Sequence, residues 1–378
     1  MIQSFRFLIV FLFALMYSKG FSWAFDYEFD GRVRADTRYI FDSLEGFDDF
    51  DNALELRLGG HGDIMRQKSL VLDYEVLVDF RTVMGPSEQV GYAREIDLDV
   101  FRGWFRLDGS KWRLRVGRQQ ILFSTGTLFR PLGFFDSRII SSVFPLASGV
   151  DGLRLSWFKD DTTTVQAWAV PTKAEGLVIV GGRWEGLIGK IEAGLAIQYS
   201  PKTDLDTIPN FDLEVFQTGY QLKGEFGIGL WMEGRLDLEQ HLDGDRARFE
   251  SVWGTDYTFD FGNGLHVLLE YFLSVSEVGF SNKDLRGDRK IHQLGLQLDQ
   301  PIGIATVWRL FGFYDLGDTS FQITPQIEYA ATDNTFLYLQ GNWGGDAGTE
   351  DDFGRFFRKT STFSGTESSV GLTLIVFF

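Results

Sequence analysis

The chain of 378 residues contains no cysteine and four histidines. Without cysteine the chain forms no disulfides, thiolate metal sites or cysteine nucleophiles. The histidines fall near strand ends and in loops of the pattern described below, at His61, His241, His266 and His292. Such scattered positions do not converge with a serine or a carboxylate into a catalytic triad. We therefore expect no enzymatic activity, no metal site and no cofactor.

Long apolar runs are also missing, apart from one at the N-terminus. No later run approaches the roughly 20 residues that a membrane-spanning helix needs. Arg6 precedes the apolar run 7–17, and Ser22-Trp23-Ala24 has the form of a cleavage site. The run is short for a membrane anchor, so the pattern predicts a cleaved secretory signal peptide over residues 1–24. The mature domain would then comprise residues 25–378.

Positive charge is scarce, with 36 lysines and arginines against 53 carboxylates and a formal net charge of −17. A nucleic-acid partner needs a basic footprint. The composition therefore argues against nucleic-acid binding.

Alternation with a period of two dominates the chain from Asp26 onward. For example, Leu54, Leu56 and Leu58 alternate with more polar neighbours. Successive side chains of a β-strand point to opposite faces, so this pattern predicts strands. Most of the segments exceed the usual five or six residues and reach the roughly 9–11 residues with which a tilted strand crosses a bilayer. One apolar and one charged face along a whole crossing indicate lipid outside and water inside.

The pattern therefore predicts an all-β fold, a transmembrane antiparallel β-barrel of eighteen strands, with sixteen as the alternative count. The predicted strands are 26–39, 52–61, 69–83, 95–107, 111–118, 150–158, 162–170, 177–184, 190–200, 211–222, 225–238, 248–261, 265–277, 290–300, 304–314, 319–330, 335–343 and 368–378. Alternation is weakest in 162–170, 177–184 and 335–343. Its parity slips at Val100–Phe101, which predicts a β-bulge.

The connections between these strands alternate between short and mostly longer. Short periplasmic turns and long extracellular loops are typical of bacterial outer-membrane barrels. With an even strand count, both termini would lie in the periplasm of a Gram-negative cell. A soluble sandwich is the alternative, but it does not explain the asymmetry of the connections.

The C-terminal segment carries a further sign of this class. Val370, Leu372, Leu374 and Val376 share one face with Phe378, the last residue. This resembles the terminal signature through which the barrel-assembly machinery recognises its clients. The expected partners are that machinery, outer-membrane lipid with lipopolysaccharide, and a hydrophilic solute.

Charges on the predicted inner face are unevenly spread. Eighteen strands enclose a channel wide enough for water, and charges that line a pore set its ion preference. Arginines cluster on neighbouring strands, at Arg32, Arg34, Arg38, Arg102, Arg106, Arg113, Arg115, Arg118 and Arg154. Carboxylates dominate elsewhere, at Asp73, Glu75, Asp79, Asp97, Asp99, Glu233, Asp237, Glu250, Asp256, Asp260, Glu270 and Glu328. Two interpretations stay open: an arginine track for an anionic solute, or arginine–carboxylate pairs that only keep the lumen hydrated.

The longest irregular segment is 119–149, rich in Phe, Gly, Pro and Ser. Connections of that length are usually functional or disordered, and this one has too many apolar residues to stay loose in water. We expect it to fold back into the mouth of the barrel and narrow the pore. Arg130 and Arg138 would then add to the arginine track, with Asp136 as an opposing charge.

Residues 111–155 resemble the alginate-export family of outer-membrane porins. The resemblance is carried by RLRVGRQQI at 113–121, the aromatic Gly/Pro loop after it and GVDGLRL at 149–155. It implies an eighteen-stranded barrel with an arginine-rich lumen and a polyanionic uronate substrate. By this resemblance Arg113, Arg115, Arg118 and Arg154 are candidate pore-lining residues.

The sequence thus predicts a passive outer-membrane channel for a small or oligomeric, anionic hydrophilic solute, with loop 119–149 as its constriction. The alternatives are a non-selective diffusion porin and a closed barrel that acts as an adhesin or a structural protein.

Overall fold

The computed structural model describes residues 27–41, 49–87, 91–172, 176–201, 214–240, 246–278, 287–346 and 368–378. The predicted signal peptide, residues 1–24, lies outside the described residues and stays a prediction. Within the described ranges, no helix has the length and apolarity needed to cross a membrane.

The described residues form eighteen strands. They are β1 (Glu28–Phe41), β2 (Asp49–Gln67), β3 (Leu70–Ser87), β4 (Gly91–Gly109), β5 (Trp112–Gln119), β6 (Val150–Phe158), β7 (Thr164–Pro171), β8 (Val178–Ile188), β9 (Ile191–Ser200), β10 (Glu214–Glu225), β11 (Gly229–Gln240), β12 (Arg246–Phe259), β13 (Leu265–Val278), β14 (Gly287–Ile302), β15 (Thr306–Asp315), β16 (Ser320–Thr332), β17 (Thr335–Asp346) and β18 (Ser368–Phe377). Each predicted segment overlaps one strand, including the three with weak alternation. The predicted fold and its strand count are confirmed.

The sheet closes on itself as an antiparallel barrel. Each strand pairs with its neighbours along the chain, and β1 pairs with β18 from Arg32–Phe377 to Phe41–Ser368. At the seam the N–H of Gly31 donates to the carbonyl of Phe378 at 2.8 Å, and the N–H of Phe378 returns a bond to Gly31 at 3.0 Å. The terminal phenylalanine is thereby part of the closure.

The predicted bulge is present in β4. Val78 pairs with Val100 but Leu77 pairs with Arg102, so Phe101 is the extra residue. The bulge reverses the alternation beyond it, which explains the slip of parity in the sequence.

The wall has an apolar outer face and a polar inner face, as period-two alternation requires. Large apolar side chains are exposed around the outside, among them Leu54, Phe80, Leu98, Leu155, Leu195, Trp253 and Leu372. Charged and amide side chains are buried on the inside, among them Arg32, Arg57, Arg102, Glu233, Asp237, Glu270 and Gln326.

The height of the wall is uneven. Strands β2, β3 and β4 have 19, 18 and 19 residues, whereas β5, β6 and β7 have 8, 9 and 8. The chain leaves the wall where Gln119 pairs with Val150, at the end of the short strands. The connection 120–149, called the inner loop below, starts from this low part of the wall. The predicted alternation between short and long connections has two exceptions. The connections 172–177 and 316–319 lie where long loops were expected, but both are short.

The packed apolar core lies inside the barrel, between the inner loop and the wall. Its three clusters are Ile121, Phe123, Leu132, Trp168 and Val170; Leu128, Trp231, Leu268 and Phe311; and Val143, Tyr338 and Ile375. Each cluster combines loop side chains with strand side chains. The loop therefore supplies a core that a water-filled barrel would lack.

Candidate functional site

The inner loop crosses the lumen. It begins between β5 and β6, and Phe129 lies against Phe272 of β13 and Phe313 of β15, with ring centroids 5.1 and 5.8 Å apart. Phe144 lies 5.9 Å from Phe377, at the end of β18. We expected the loop at the mouth of the barrel. It lies deeper because the short strands β5 and β6 release it below the rim.

Glu233 of β11 anchors the first half of the loop. Its side chain is 0% exposed. The carboxylate accepts hydrogen bonds from the hydroxyl of Ser124 at 2.8 Å and from the N–H groups of Thr125, Gly126 and Leu132 at 2.6, 3.1 and 2.7 Å. A buried carboxylate is stable only when it is fully hydrogen-bonded. Here the loop backbone supplies the donors.

Glu270 of β13 is a second anchor and is also 0% exposed. It accepts from the N–H groups of Thr127, Leu128 and Phe129 at 2.6, 2.9 and 2.8 Å. The indole N–H of Trp231 donates a fourth bond at 2.9 Å. Sequence reasoning placed Glu233 and Glu270 among the lumenal carboxylates but missed this role. The only signal was their position on the inner face opposite a long loop.

Wall side chains on several strands donate hydrogen bonds to loop carbonyls. Arg235 donates to Pro131 at 2.7 Å, Gln326 to Ser141 at 2.6 Å and Arg102 to Ala147 at 3.0 Å. These contacts lie on β11, β16 and β4. The loop is therefore fixed on several sides of the lumen.

Arg130 and Arg138 form ion pairs within the loop. Both bind Asp136, at 2.9 and 2.6 Å, and Arg130 also donates to the carbonyls of Thr127 and Arg138 at 3.2 and 2.5 Å. Burial opposes the ionisation of Asp136, but the hydrogen bonds from Arg138 and the charge of Arg130 hold its pKa below the usual value. Burial is also the main reason that the pKa of Arg130 is lowered. Both arginines brace the fold of the loop.

Most of the predicted lumenal arginines are paired with carboxylates. Ion pairs join Arg32 to Glu55, Arg34 to Asp36, Arg106 to Asp73 and Arg113 to Asp108. A fifth ion pair joins Asp79 to Arg57, an arginine that the sequence analysis missed. Four of the five pairs link adjacent strands between β1 and β5. The interpretation as hydrating ion pairs therefore fits these positions.

A row of three arginines departs from this pairing. Arg106, Arg115 and Arg154 lie in register on β4, β5 and β6. Only Arg106 has a carboxylate within 4.0 Å in the described part of the chain. Arg154 donates to the neutral side chain of Gln166 at 2.7 Å, and Arg115 lies 4.3 Å above the ring of Trp104. Among the described residues, these two adjacent inward-facing guanidinium groups thus have no carboxylate partner.

Arg102 is buried and is used by the loop. Besides Ala147 it donates to the carbonyl of Phe101 at 2.7 Å, and its guanidinium lies 4.0 Å from the ring of Phe101. Arg118 lies apart from the row. Strand alternation places it with Leu114 and Val116, on the face opposite Arg113 and Arg115.

The wall beside the arginine row, from β7 to β12, carries amide and acid side chains. A chain of hydrogen bonds runs from Trp168 to Gln198 at 2.9 Å, from Gln198 to Gln217 at 2.8 Å and from Gln217 to Asp237 at 3.0 Å. Arg248 closes the chain on Asp237 at 2.6 Å. The side chains of this hydrogen-bonded chain satisfy one another across neighbouring parts of the wall. Within the described ranges, no group of three histidine or carboxylate side chains could hold a metal ion.

No protein-family model and no curated protein matches the chain. Solved structures do match its fold. The barrel is similar to OccAB1 of Acinetobacter baumannii (TM-score 0.64, 12% identity, 96% of this chain and 98% of that one). It is also similar to OpdQ (0.58, 10%, 93% and 98%) and OccK7 (0.57, 11%, 93% and 98%) of Pseudomonas aeruginosa.

At these identities the similarity concerns the fold, which is that of outer-membrane porins. The comparisons give no support to the resemblance of residues 111–155 to alginate-export porins.

Proposed function

We propose that the protein is a passive outer-membrane channel for a small or oligomeric, anionic hydrophilic solute. In a closed barrel with an apolar exterior, paired strands satisfy each other's backbone groups within lipid, and the porin fold supports a channel. The location in the outer membrane, with both termini in the periplasm, is part of the same proposal. So are the predicted contacts with lipopolysaccharide and with the barrel-assembly machinery through Phe378.

The observation that carries the anion preference is the pairing of Arg115 with Arg154 in register across β5 and β6. Like charges directly opposite each other destabilise a sheet. The planar guanidinium group binds carboxylates with two parallel hydrogen bonds. An anionic solute that reaches the pair would supply the missing counter-charge. Arg106, held by Asp73, would extend the row.

The inner loop is the proposed constriction. Its anchors Glu233 and Glu270 hold it across the lumen from β5 to β13, so a solute has to pass beside it. The other predicted pore-lining arginines, together with their carboxylate partners, would contribute to the electrostatic potential along this passage. Removing residues 124–145 is expected to raise conductance and weaken selectivity. Unchanged conductance would show that the pore does not depend on the loop.

The reversal potential of the channel in planar bilayers under a salt gradient tests the anion preference. The wild type is expected to favour anions, and Arg115→Gln combined with Arg154→Gln is expected to lose most of this preference. A charge about 4 Å from a permeating ion contributes about 1 kcal/mol in water, or roughly fivefold in local ion concentration. A matched control neutralises an ion pair outside the row without changing the net charge, Arg309→Gln with Glu328→Gln. Cation preference in the wild type would refute the proposal.

The solute can be narrowed with proteoliposomes. A swelling assay with uronates, neutral sugars and small organic anions of similar size would compare their rates of uptake. Faster uptake of the carboxylates than of the sugars is expected, and the Arg115 and Arg154 substitutions should remove the difference. Equal rates in the wild type would favour a non-selective porin.

A second candidate is a closed barrel with an adhesive or structural role. It is favoured by the number of wall strands that the inner loop contacts, because a loop fixed on β4, β11, β13, β16 and β18 leaves less open lumen. No conductance in bilayers, with folding intact, would favour this candidate over the channel.

A further inference from the structure

The wall has a step between β4 and β5. β4 runs from Gly91 to Gly109, but only Gly103–Asp108 pairs with β5. The upper part of β4 therefore has β3 on one side and no described strand on the other. The step exists because the chain turns into the lumen at Gln119 and does not extend the wall.

Both faces of β4 are open along this step. All six residues of 95–100 are exposed, although their side chains alternate between the lumen and the outside. On the outer face Leu98 is 66% exposed, and on the inner face Asp99 is 60% exposed. The inner loop therefore does not cover the lumenal side of the step.

The edge of β4 has unpaired backbone groups. The carbonyl of Val100 accepts a bond from Arg118 at 2.8 Å, so the backbone groups of Val100 point toward the missing strand. In an antiparallel sheet the same holds for every second residue, here Leu98 and Ile96. Among the described residues, nothing bonds to the backbone of Leu98 or Ile96 on that side.

A charged cluster crosses the wall at the base of the step. Arg118 belongs to the outer face of β5 and Asp99 to the inner face of β4, yet their side chains are 2.6 Å apart. They can meet because β5 ends there. Asp151, beside Arg118 on the outer face of β6, is 58% exposed and 3.7 Å from it.

These polar groups lie at the level of the apolar outer surface. Leu98 pairs in register with Phe80, whose side chain faces outward and is 48% exposed. Unpaired backbone groups cost several kcal/mol each in hydrocarbon, and exposed charges cost at least as much. Water at the step removes both costs, and the lumen beside Asp97 and Asp99 can supply it.

We propose that the step is a side opening of the lumen, through which amphiphilic solutes pass between the channel and the lipid layer. The polar head of such a molecule would move through the water at Asp99 and Arg118. Its apolar chain would lie along Val100, Leu98 and Ile96. The inference rests on the proposed membrane location, but a channel that preferred cations would leave it intact.

The absence of cysteine from the chain allows a direct test of the opening. Leu98→Cys and Phe80→Cys each place a single thiol on the outer face. The two positions pair in register on the adjacent strands β4 and β3. In liposomes a charged, water-soluble methanethiosulfonate should modify the Leu98→Cys variant at least about tenfold faster than the Phe80→Cys variant, because the thiolate that reacts forms only where water is present. Equally slow reaction of both variants would overturn the opening, and conductance checks that both variants fold.

A second pair of variants tests the lateral route. Asp97→Cys lies on the lumen face at the step, and Gln322→Cys lies on the lumen face of β16, on another part of the wall. Each is treated with a small methanethiosulfonate and with one that carries a dodecyl chain and partitions into the bilayer. The ratio of the dodecyl rate to the small-reagent rate should be higher for the Asp97→Cys variant. Equal ratios would refute the lateral route.

Discussion

Replacing Glu233 by glutamine should release the first half of the inner loop. The carboxylate receives the N–H groups of Thr125 and Gly126 on one oxygen and that of Leu132 on the other. Glutamine has one acceptor oxygen, so its NH2 group must face at least one of these donors. Its size is nearly that of glutamate, so the change tests hydrogen bonding with little effect on packing.

The magnitude follows from the bonds that are lost. In the better orientation the amide oxygen keeps Thr125 and Gly126, and the NH2 group faces Leu132. A hydrogen bond to a charged group contributes about 1.5–3 kcal/mol and one to a neutral group about 1 kcal/mol. At the lower values, losing one charged bond and weakening two costs about 2.5 kcal/mol. At 1.4 kcal/mol for each factor of ten, the undocked loop becomes roughly a hundredfold more populated.

Limited proteolysis of the reconstituted protein and single-channel recording would detect the change. Cleavage within 124–132 should accelerate about a hundredfold if it follows the open population, and conductance should rise with added noise. Glu328→Gln is the matched control, because Glu328 is a lumenal carboxylate that binds Arg309 at 2.8 Å on the wall. If both variants behaved like the wild type, Glu233 would not hold the loop.

Three further predictions concern the loop and the seam. Gly219→Val should displace the loop and raise conductance, because a Cβ there would overlap Cδ2 of Leu132; unchanged conductance would contradict the packing. The pKa of Asp136 is lowered when the loop is folded. The ionised carboxylate therefore stabilises the docked loop fully above about pH 4, the ordinary pKa of an aspartate. This stabilisation is lost as the pH falls through the lowered pKa. Asp136→Asn should therefore weaken docking at neutral pH and reduce the acid-induced rise in proteolysis, which a titration of both proteins would show. Deleting Phe378 should slow barrel closure, because the two bonds to Gly31 are lost; refolding into liposomes at the wild-type rate would refute this.

Alternation was enough to predict the barrel. Period two identified all eighteen strands, and the slip at Val100–Phe101 located the bulge of β4. Strand ends were less accurate: β2 extends to Gln67 and β4 begins at Gly91. In both strands the backbone pairing continues beyond the segment in which apolar and polar residues alternate. Residues above or below the lipid layer do not need an apolar outer face.

The interior was harder to predict because it depends on contacts between distant residues. Glu233 and Ser124 are 109 positions apart, and no local pattern shows that a lumenal carboxylate will receive loop N–H groups. The pairing of Arg106 with Asp73 and of Arg113 with Asp108 depends on the register between strands. In the sequence Arg118 resembles Arg113 and Arg115. The alternation of side chains along β5 nevertheless places it on the outer face, opposite those two arginines.

The inner loop also touches the seam of the barrel. Val143 packs against Ile375 of β18, and the guanidinium group of Arg32 in β1 lies 5.3 Å from the ring of Phe144. The first and last strands therefore meet against a segment from the middle of the chain. Because the loop packs against both terminal strands, we expect formation of the core and closure of the sheet to reinforce each other as one late step of assembly. A chain stopped before that step would expose its apolar clusters and its two open edges together.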